Sequence, residues 1–326
     1  MKKKISIILA IIMMFAIISG CGSKSRPSSN KNMKILFSVS DNSDNFRRIL
    51  TDNAKSYAES QNAEITIMDA EKSVEKQVEH MKEAVSGGYD VIICALVNSD
   101  TALQLKKAAQ GLPIVFINSA PNEALLEQNK YIYVASDEMV AGKYQAEYIA
   151  DYLKNKNDIK VVLFKGEKGH SATIGRTKAV KQTFKEKGIN AEYIFEDNAN
   201  WSRQGAKEMF NVFLSTNRKF DCVICNNDEM ALGVIDSLKE NKIDPSSIPV
   251  VGIDATGDGC NAIVDGSMKL TVYQNAKGQS KSAIEAAIKL ASGGTLSGIE
   301  NITDDGKYIW VPFEKVDKSN VNKYMN

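Results

Sequence analysis

From Lys34 onward, short unbroken apolar runs alternate with amphipathic stretches, and this alternation constrains the fold more than anything else in the chain. Residues 34–40, 64–68, 91–96 and 113–118 have strand length and lack the in-out polar alternation of a half-solvated strand. Between them, 45–61, 73–86 and 101–110 read as helices. Val74, Val78, Met81 and Val85 fall on one helical stripe of the second. Strands apolar on both faces must be covered on both faces. The chain therefore predicts an α/β fold with a parallel sheet between helices.

The pattern then starts again. Helix is expected over 139–153, 173–187, 202–214 and 228–239, and strand over 161–165, 191–195, 222–225 and 249–253. Gly188 is a suitable C-cap for the second of these helices. The run Asp90-Val91-Ile92-Ile93-Cys94, a turn, a helix and Leu112-Pro113-Ile114-Val115-Phe116-Ile117-Asn118 form one block. Asp221-Cys222-Val223-Ile224-Cys225, an Asn-Asn-Asp turn, a helix and Ile248-Pro249-Val250-Val251-Gly252-Ile253-Asp254 form a similar one. With 326 residues, more than one core usually spans, this implies two similar doubly wound parallel-sheet lobes. Open parallel sheets bind ligands beyond the carboxyl ends of their strands, which directs attention to 40–46, 95–99, 118 onward, 165–176, 226–228 and 254.

Several function classes fall away. The formal net charge is +1, and without Lys2, Lys3 and Lys4 the balance is 38 basic against 40 acidic residues, or −2, so a general nucleic-acid binder is not expected. Lys2 to Lys4, the apolar run from Ile5 to Ile18 and Ile18-Ser19-Gly20-Cys21 read as a signal peptide over 1–20, too short to span a bilayer comfortably. Residues 21–33 are small, polar and basic, a flexible tether. Cys222 and Cys225 mimic a CxxC, but residues three apart on a strand face opposite ways, so buried thiols are expected rather than a metal or redox site. No GxGxxG follows the first strand, and no GxSxG or P-loop occurs, so an enzyme is not expected and no cofactor is implied. A regulator would need an N-terminal helix-turn-helix where the leader stands.

The strand ends carry polar groups suited to a sugar. Asp44, Asn227, Asp254, Arg176, His170 and Gln274 offer planar groups for paired hydrogen bonds to vicinal hydroxyls. Phe46 and Trp201, one per lobe, could cover the apolar faces of the ring. Each has a plainer reading. Asp228 could cap its helix, Asn227 could serve a turn, Phe46 the core, Trp201 surface packing and His170 plain solvation; Arg176 could pair with Glu167.

Asn226-Asn227-Asp228-Glu229-Met230-Ala231-Leu232-Gly233 followed by Val250-Val251-Gly252-Ile253-Asp254 resembles the periplasmic sugar-binding proteins of ABC transporters (type I, galactose/glucose- and ribose-binding-like) over nearly the whole mature chain. Asp44-Asn45-Phe46, Lys165-Gly166-Glu167, Gly169-His170, Arg176-Thr177 and Trp201 resemble the ligand loops of the galactose/glucose branch, and Trp310-Val311-Pro312-Phe313 its C-terminal strand. Cys21 resembles the lipobox cysteine of lipoproteins, which implies acylation and a membrane anchor on the outer face of the cell membrane. The resemblance implies a three-segment hinge near Ala135, Gln274 and Trp310, with 34–135 plus 275–309 as one lobe and 136–274 plus 310–326 as the other. It also implies a monomer that closes on a monosaccharide and delivers it to an ABC permease. A sugar-sensing subunit for a histidine kinase or chemoreceptor is the alternative. The chain departs from the branch at Ala95, Ala172 and Gln274, and 154–158 is too short for its calcium loop, so no metal is implied.

Overall fold

The computed structural model describes residues 32–325; the leader, Cys21 and most of the tether lie outside the described residues. The described strands are β1 (Lys34–Val39), β2 (Glu64–Asp69), β3 (Val91–Cys94), β4 (Ile114–Ile117), β5 (Tyr131–Ala135), β6 (Asp158–Lys165), β7 (Asn190–Asn198), β8 (Cys222–Cys225), β9 (Val250–Val251), β10 (Thr271–Tyr273), β11 (Tyr308–Trp310) and β12 (Glu314–Val316). The helices are α1 (Asn45–Ser60), α2 (Val74–Ser86), α3 (Ala102–Ala108), α4 (Glu138–Tyr152), α5 (Ser171–Glu186), α6 (Arg203–Ser215), α7 (Asp228–Glu240), α8 (Gly257–Val264) and α9 (Ala276–Ala291).

Two parallel sheets result, one in the order β11-β5-β4-β3-β1-β2 and one in the order β7-β6-β8-β9. Each is buried on both faces, as its apolar strands require. Along β1, Ile35, Phe37 and Val39 enter one core while Leu36 enters another; along β6, Val162 and Phe164 face one core and Val161 and Leu163 the other. Cys222 and Cys225 likewise enter opposite cores as free thiols. The fold is thus the two-lobed, doubly wound α/β architecture anticipated. The chain passes from the first layer to the second between β5 and α4, returns between β10 and α9, and crosses again between β11 and β12.

Three details differ from expectation. The strand expected over 310–313 is interrupted: β11 ends at Trp310 and β12 begins at Glu314, because Pro312 cannot donate to a ladder. Asp228 is not the cap of α7. Asn227 is, its side chain accepting from the Met230 amide at 3.0 Å. Asp228 instead turns inward, accepting from Thr271 Oγ1 at 2.6 Å and the Thr256 amide at 2.9 Å, and burial pushes its carboxyl up to about 7. Finally, β5, α8 and α9 had no counterpart among the expected elements. The two helices open on Gly257-Asp258-Gly259 and Ala276-Lys277-Gly278, without the large apolar residues that mark the start of a stripe.

Helix approach depends on absent side chains. A Cβ on Gly233 of α7 would lie 2.1 Å from the Arg203 carbonyl oxygen at the start of α6, a backbone atom that cannot step aside cheaply. Gly233→Ala is therefore expected to destabilise the protein by about 1–3 kcal/mol. Urea unfolding checks this, and an unchanged midpoint would contradict the packing.

Candidate functional site

Loops at the carboxyl ends of the strands in both sheets converge on one small cavity. Asp44, Phe46 and Arg47 come from the β1–α1 connection and the first turn of α1, and Asn118 follows β4. His170, Ala172 and Arg176 come from the start of α5, Trp201 from the turn before α6, Asn227 from the cap of α7, Asp254 from the turn after β9 and Gln274 from the end of β10. All eight residues expected to meet a ligand line this cavity: Asp44, Phe46, His170, Arg176, Trp201, Asn227, Asp254 and Gln274.

Arg176 organises the floor. Its Nε donates to Glu138 Oε2 at 2.6 Å, Nη1 to the Asn226 carbonyl at 2.6 Å and Nη2 to Gln274 Oε1 at 2.9 Å. Its ion-pair partner is thus Glu138, not Glu167. Glu167 pairs instead with Arg47 at 3.1 Å across the cleft, supported by Lys72 at 3.9 Å. Burial lowers the pKa of Arg176, but Glu138 and Asp254 outweigh it and the net shift is upward; burial works the same way on Arg47, where Asp44 and Glu167 prevail. Both guanidiniums stay charged.

Asp254 has a different environment. It is 7% exposed, and Arg176 acts on it through space, without a hydrogen bond. Burial drives its carboxyl well above the usual range; Arg176 pulls it back, while Asp228, Asp44 and Glu138 push it further up. Burial also raises Glu138 against the pull of Arg176, yet the direct 2.6 Å contact makes Glu138 the guanidinium's partner.

The tautomer of His170 follows from its place as the cap of α5. Its Nδ1 accepts from the Ala172 amide at 3.1 Å, so in the neutral ring the proton sits on Nε2. That Nε2 is buried without a partner, as are Trp201 Nε1 and Gln274 Nε2. The His170 ring meets the Trp201 indole edge-on at 5.4 Å, and a Cβ on Gly166 would collide with that indole at 2.0 Å. Backbone strain gathers here too: Asn118, Trp201 and Asp254 have φ of 65°, 65° and 122°. Strain held by non-glycine residues concentrates where a fold serves function.

Arg47, Asn118 and Glu138 were not singled out as site residues beforehand. Arg47 lies beside the Asp44-Asn45-Phe46 run and Asn118 opens a flagged segment, so both were within reach. Glu138 reads as an ordinary acidic residue in a first helical turn, and only the fold brings it to Arg176. At the mouth, Asn45 Nδ2 donates to Glu229 Oε1 at 3.3 Å and the Ala120 amide to Ser171 Oγ at 3.0 Å, joining the two layers further.

Two parallel-sheet layers enclosing a polar cavity beyond their strand ends define the class of solute-binding proteins. The chain belongs to the periplasmic binding protein family: the family's model, described as "Periplasmic binding protein domain", matches residues 35–295. Within it, the relatives place the chain among the type I sugar-binding proteins of ABC transporters. A protein of Rhizobium meliloti whose name proposes rhizopine binding is 33% identical over 287 residues, covering 86% of this chain and 89% of the relative. The D-galactose/methyl-galactoside binding periplasmic protein of Haemophilus influenzae is 26% identical over 324 residues, covering 95% of this chain and 96% of the relative. The crystal structure of an ABC transporter solute binding protein from Bacillus halodurans with bound myo-inositol matches with a TM-score of 0.81 and 27% identity, covering 91% of this chain and 99% of that one.

Burial, with Arg47 and Arg176 nearby, holds His170 well below its usual pKa of 6.5. The unfolded imidazole gains its proton near 6.5 and the folded one only at lower pH. This contribution to stability is therefore present above about 6.5 and lost as pH falls toward the folded value. In ¹⁵N-edited spectra His170 is expected to stay neutral, with the proton on Nε2, at pH 6. A charged ring at that pH would contradict the site as described.

Proposed function

We propose that the chain is an extracytoplasmic binding lipoprotein, not an enzyme. It captures a small monosaccharide or cyclic polyol by lobe closure and delivers it to an ABC permease. The observation that carries this reading is the convergence of strand-end residues from both sheets on one cavity that combines two aromatic rings with unpartnered donors and a carboxylate. A hydroxylated ring has apolar C–H faces for Phe46 and Trp201 and a polar rim for His170, Asn227, Asp254, Gln274 and Asp44. The ligand contacts both lobes at once only when the cleft is shut, so it shifts the balance by its differential affinity for the closed state. The cross-cleft pair Arg47–Glu167 and the three chain crossings support such hinge bending, with lobe limits at 34–135 plus 275–309 and 136–274 plus 310–326.

A galactose- or glucose-like ligand has the Haemophilus influenzae relative in its favour, whereas the Bacillus halodurans structure holds myo-inositol. The absence of a carboxylate at Ala172, which lines the cavity, favours the broader class, since a site built for one hydroxyl pattern rejects another strongly. Lipidation at Cys21 rests on Lys2 to Lys4, the apolar run to Ile18 and the small residues before the cysteine. Two or three acyl chains would anchor the protein stably.

A thermal-shift screen of the purified protein against monosaccharides, cyclitols and linear polyols tests the binding. A ligand at about a thousand times its dissociation constant adds ~4 kcal/mol of stability, and that gain is expected to vanish in Trp201→Ala and Asp254→Ala. Silence across every sugar and polyol would sink the reading. For the anchor, Cys21→Ser is expected to move the protein from the membrane fraction to the soluble one, and retention at the membrane would refute acylation there.

A further inference from the structure

Asp228, at the start of α7, is fully buried and lies behind the cavity wall rather than on it. It does not serve the helix start, which Asn227 already caps. Two glycines make room for it. A Cβ on Gly252 would lie 2.3 Å from Asp228 Oδ1 and one on Gly259 would lie 2.2 Å from Oδ2. Among the described residues, its donors come from two threonines. Thr271 Oγ1 on β10 donates to Oδ1 at 2.6 Å, and the Thr256 amide and Thr256 Oγ1 donate to Oδ2 at 2.9 and 3.2 Å. Each hydroxyl gives its proton to the carboxylate and turns a lone pair to a backbone amide. Thr271 Oγ1 accepts from the Ala255 amide at 3.0 Å, and Thr256 Oγ1 from the Gly259 amide at 3.1 Å. One side chain thus holds Ala255 through Thr271 and holds Thr256 directly. The backbone between needs holding: Asp254 and Ala255 have φ of 122° and 53°. Such conformations persist in non-glycine residues only where the surroundings over-determine them.

We infer that Asp228 is a positioning residue for ligand binding: through Thr271 and Thr256 its carboxylate holds the strained backbone at 254–255 and so sets where Asp254 meets the ligand. This rests on the reading above in which Asp254 contacts a sugar or polyol. The role calls for a carboxylate rather than any polar group of that size. Only a side chain that accepts on both oxygens lets both hydroxyls point toward it and leaves their lone pairs for the Ala255 and Gly259 amides. An amide at 228 would place its NH2 against a group that is itself donating, and one of the two links would break. Burying an acid among neutral donors is costly, and at this position the cost is offset by a fixed Asp254.

Calorimetry on the full protein, with galactose and with myo-inositol as probes, reads the effect through a double-mutant cycle. Asp228→Asn is expected to weaken binding about tenfold, the scale of one charge-assisted hydrogen bond. With Asp254 already changed to Asn, the same substitution is expected to cost less than about twofold, because Asp228 then has no carboxylate to place. Thr271→Val keeps the shape but removes the link and is expected to match Asp228→Asn, whereas Thr271→Ser is expected to keep wild-type affinity. Hydrogen exchange on the ligand-free protein gives a reading that needs no sugar. The Ala255 and Thr256 amides are expected to exchange at least about tenfold faster in Asp228→Asn. The Val223 amide, bonded to the Pro249 carbonyl at 3.0 Å within the sheet, is expected to keep its rate. Unchanged affinity in Asp228→Asn, equal losses with and without Asp254, or faster exchange that extends to Val223 overturns the inference and leaves the sugar reading standing. If neither probe binds the wild type, the sugar reading falls, and the exchange rates alone decide whether Asp228 holds the turn.

Discussion

The site depends on the placement of one buried guanidinium. Arg176 reaches Glu138 on α4, the carbonyl of Asn226 at the end of β8 and Gln274 at a chain crossing, so it ties two helices, the end of an inner strand and a crossing segment to one point. The helices can come close enough only because their facing residues are small. A Cβ on Gly142 would lie 2.2 Å from the Arg176 carbonyl oxygen, and one on Gly175 would lie 2.7 Å from the Glu138 Cβ. A fully buried ion pair adds little net stability over apolar packing, but removing one partner costs about 3–5 kcal/mol. The pair is therefore better understood as fixing geometry: whatever occupies the cavity meets an Arg176 that cannot swing away.

Much of this was legible in the sequence, for identifiable reasons. Runs such as Val91-Ile92-Ile93-Cys94 admit one environment, a strand covered on both faces, and that is where the chain puts them. Once the strands are known, the parallel-sheet rule says where ligands go, and Asp44, His170, Asp254 and Gln274 could be named before any contact was seen. Tertiary pairing was less legible. Glu138 and Glu167 are both acids near Arg176 in sequence or in space, and nothing in their local context says that Glu138 takes Arg176 while Glu167 takes Arg47. The same holds for Asp228. As an acid opening a helix it reads as a cap, but its carboxylate is needed beneath the site, where Gly252 and Gly259 leave it room. Openings of Gly-Asp-Gly and Ala-Lys-Gly hid α8 and α9, and Pro312 divided a stretch that otherwise reads as one strand.

The positions where the chain departs from the galactose/glucose branch are not equivalent in structure. Ala95 is fully buried, and its carbonyl accepts from Gln77 Nε2 at 2.9 Å, part of a network in which Ser38 Oγ meets His80 Nδ1 at 2.9 Å. That position belongs to the packing behind the first sheet and is not among the residues lining the cavity. Ala172 does line it, and its amide fixes the tautomer of His170. A carboxylate at 172 would add a third acid to a cavity already lined by Asp44 and Asp254, and the methyl group there leaves two. Specificity in this scaffold therefore turns on a few side chains that leave the strands, crossings and Arg176 network untouched. One architecture can serve relatives that carry different polyols, and the ligand of this chain has to be argued from Asp44, Ala172, His170 and Asp254 rather than from the fold.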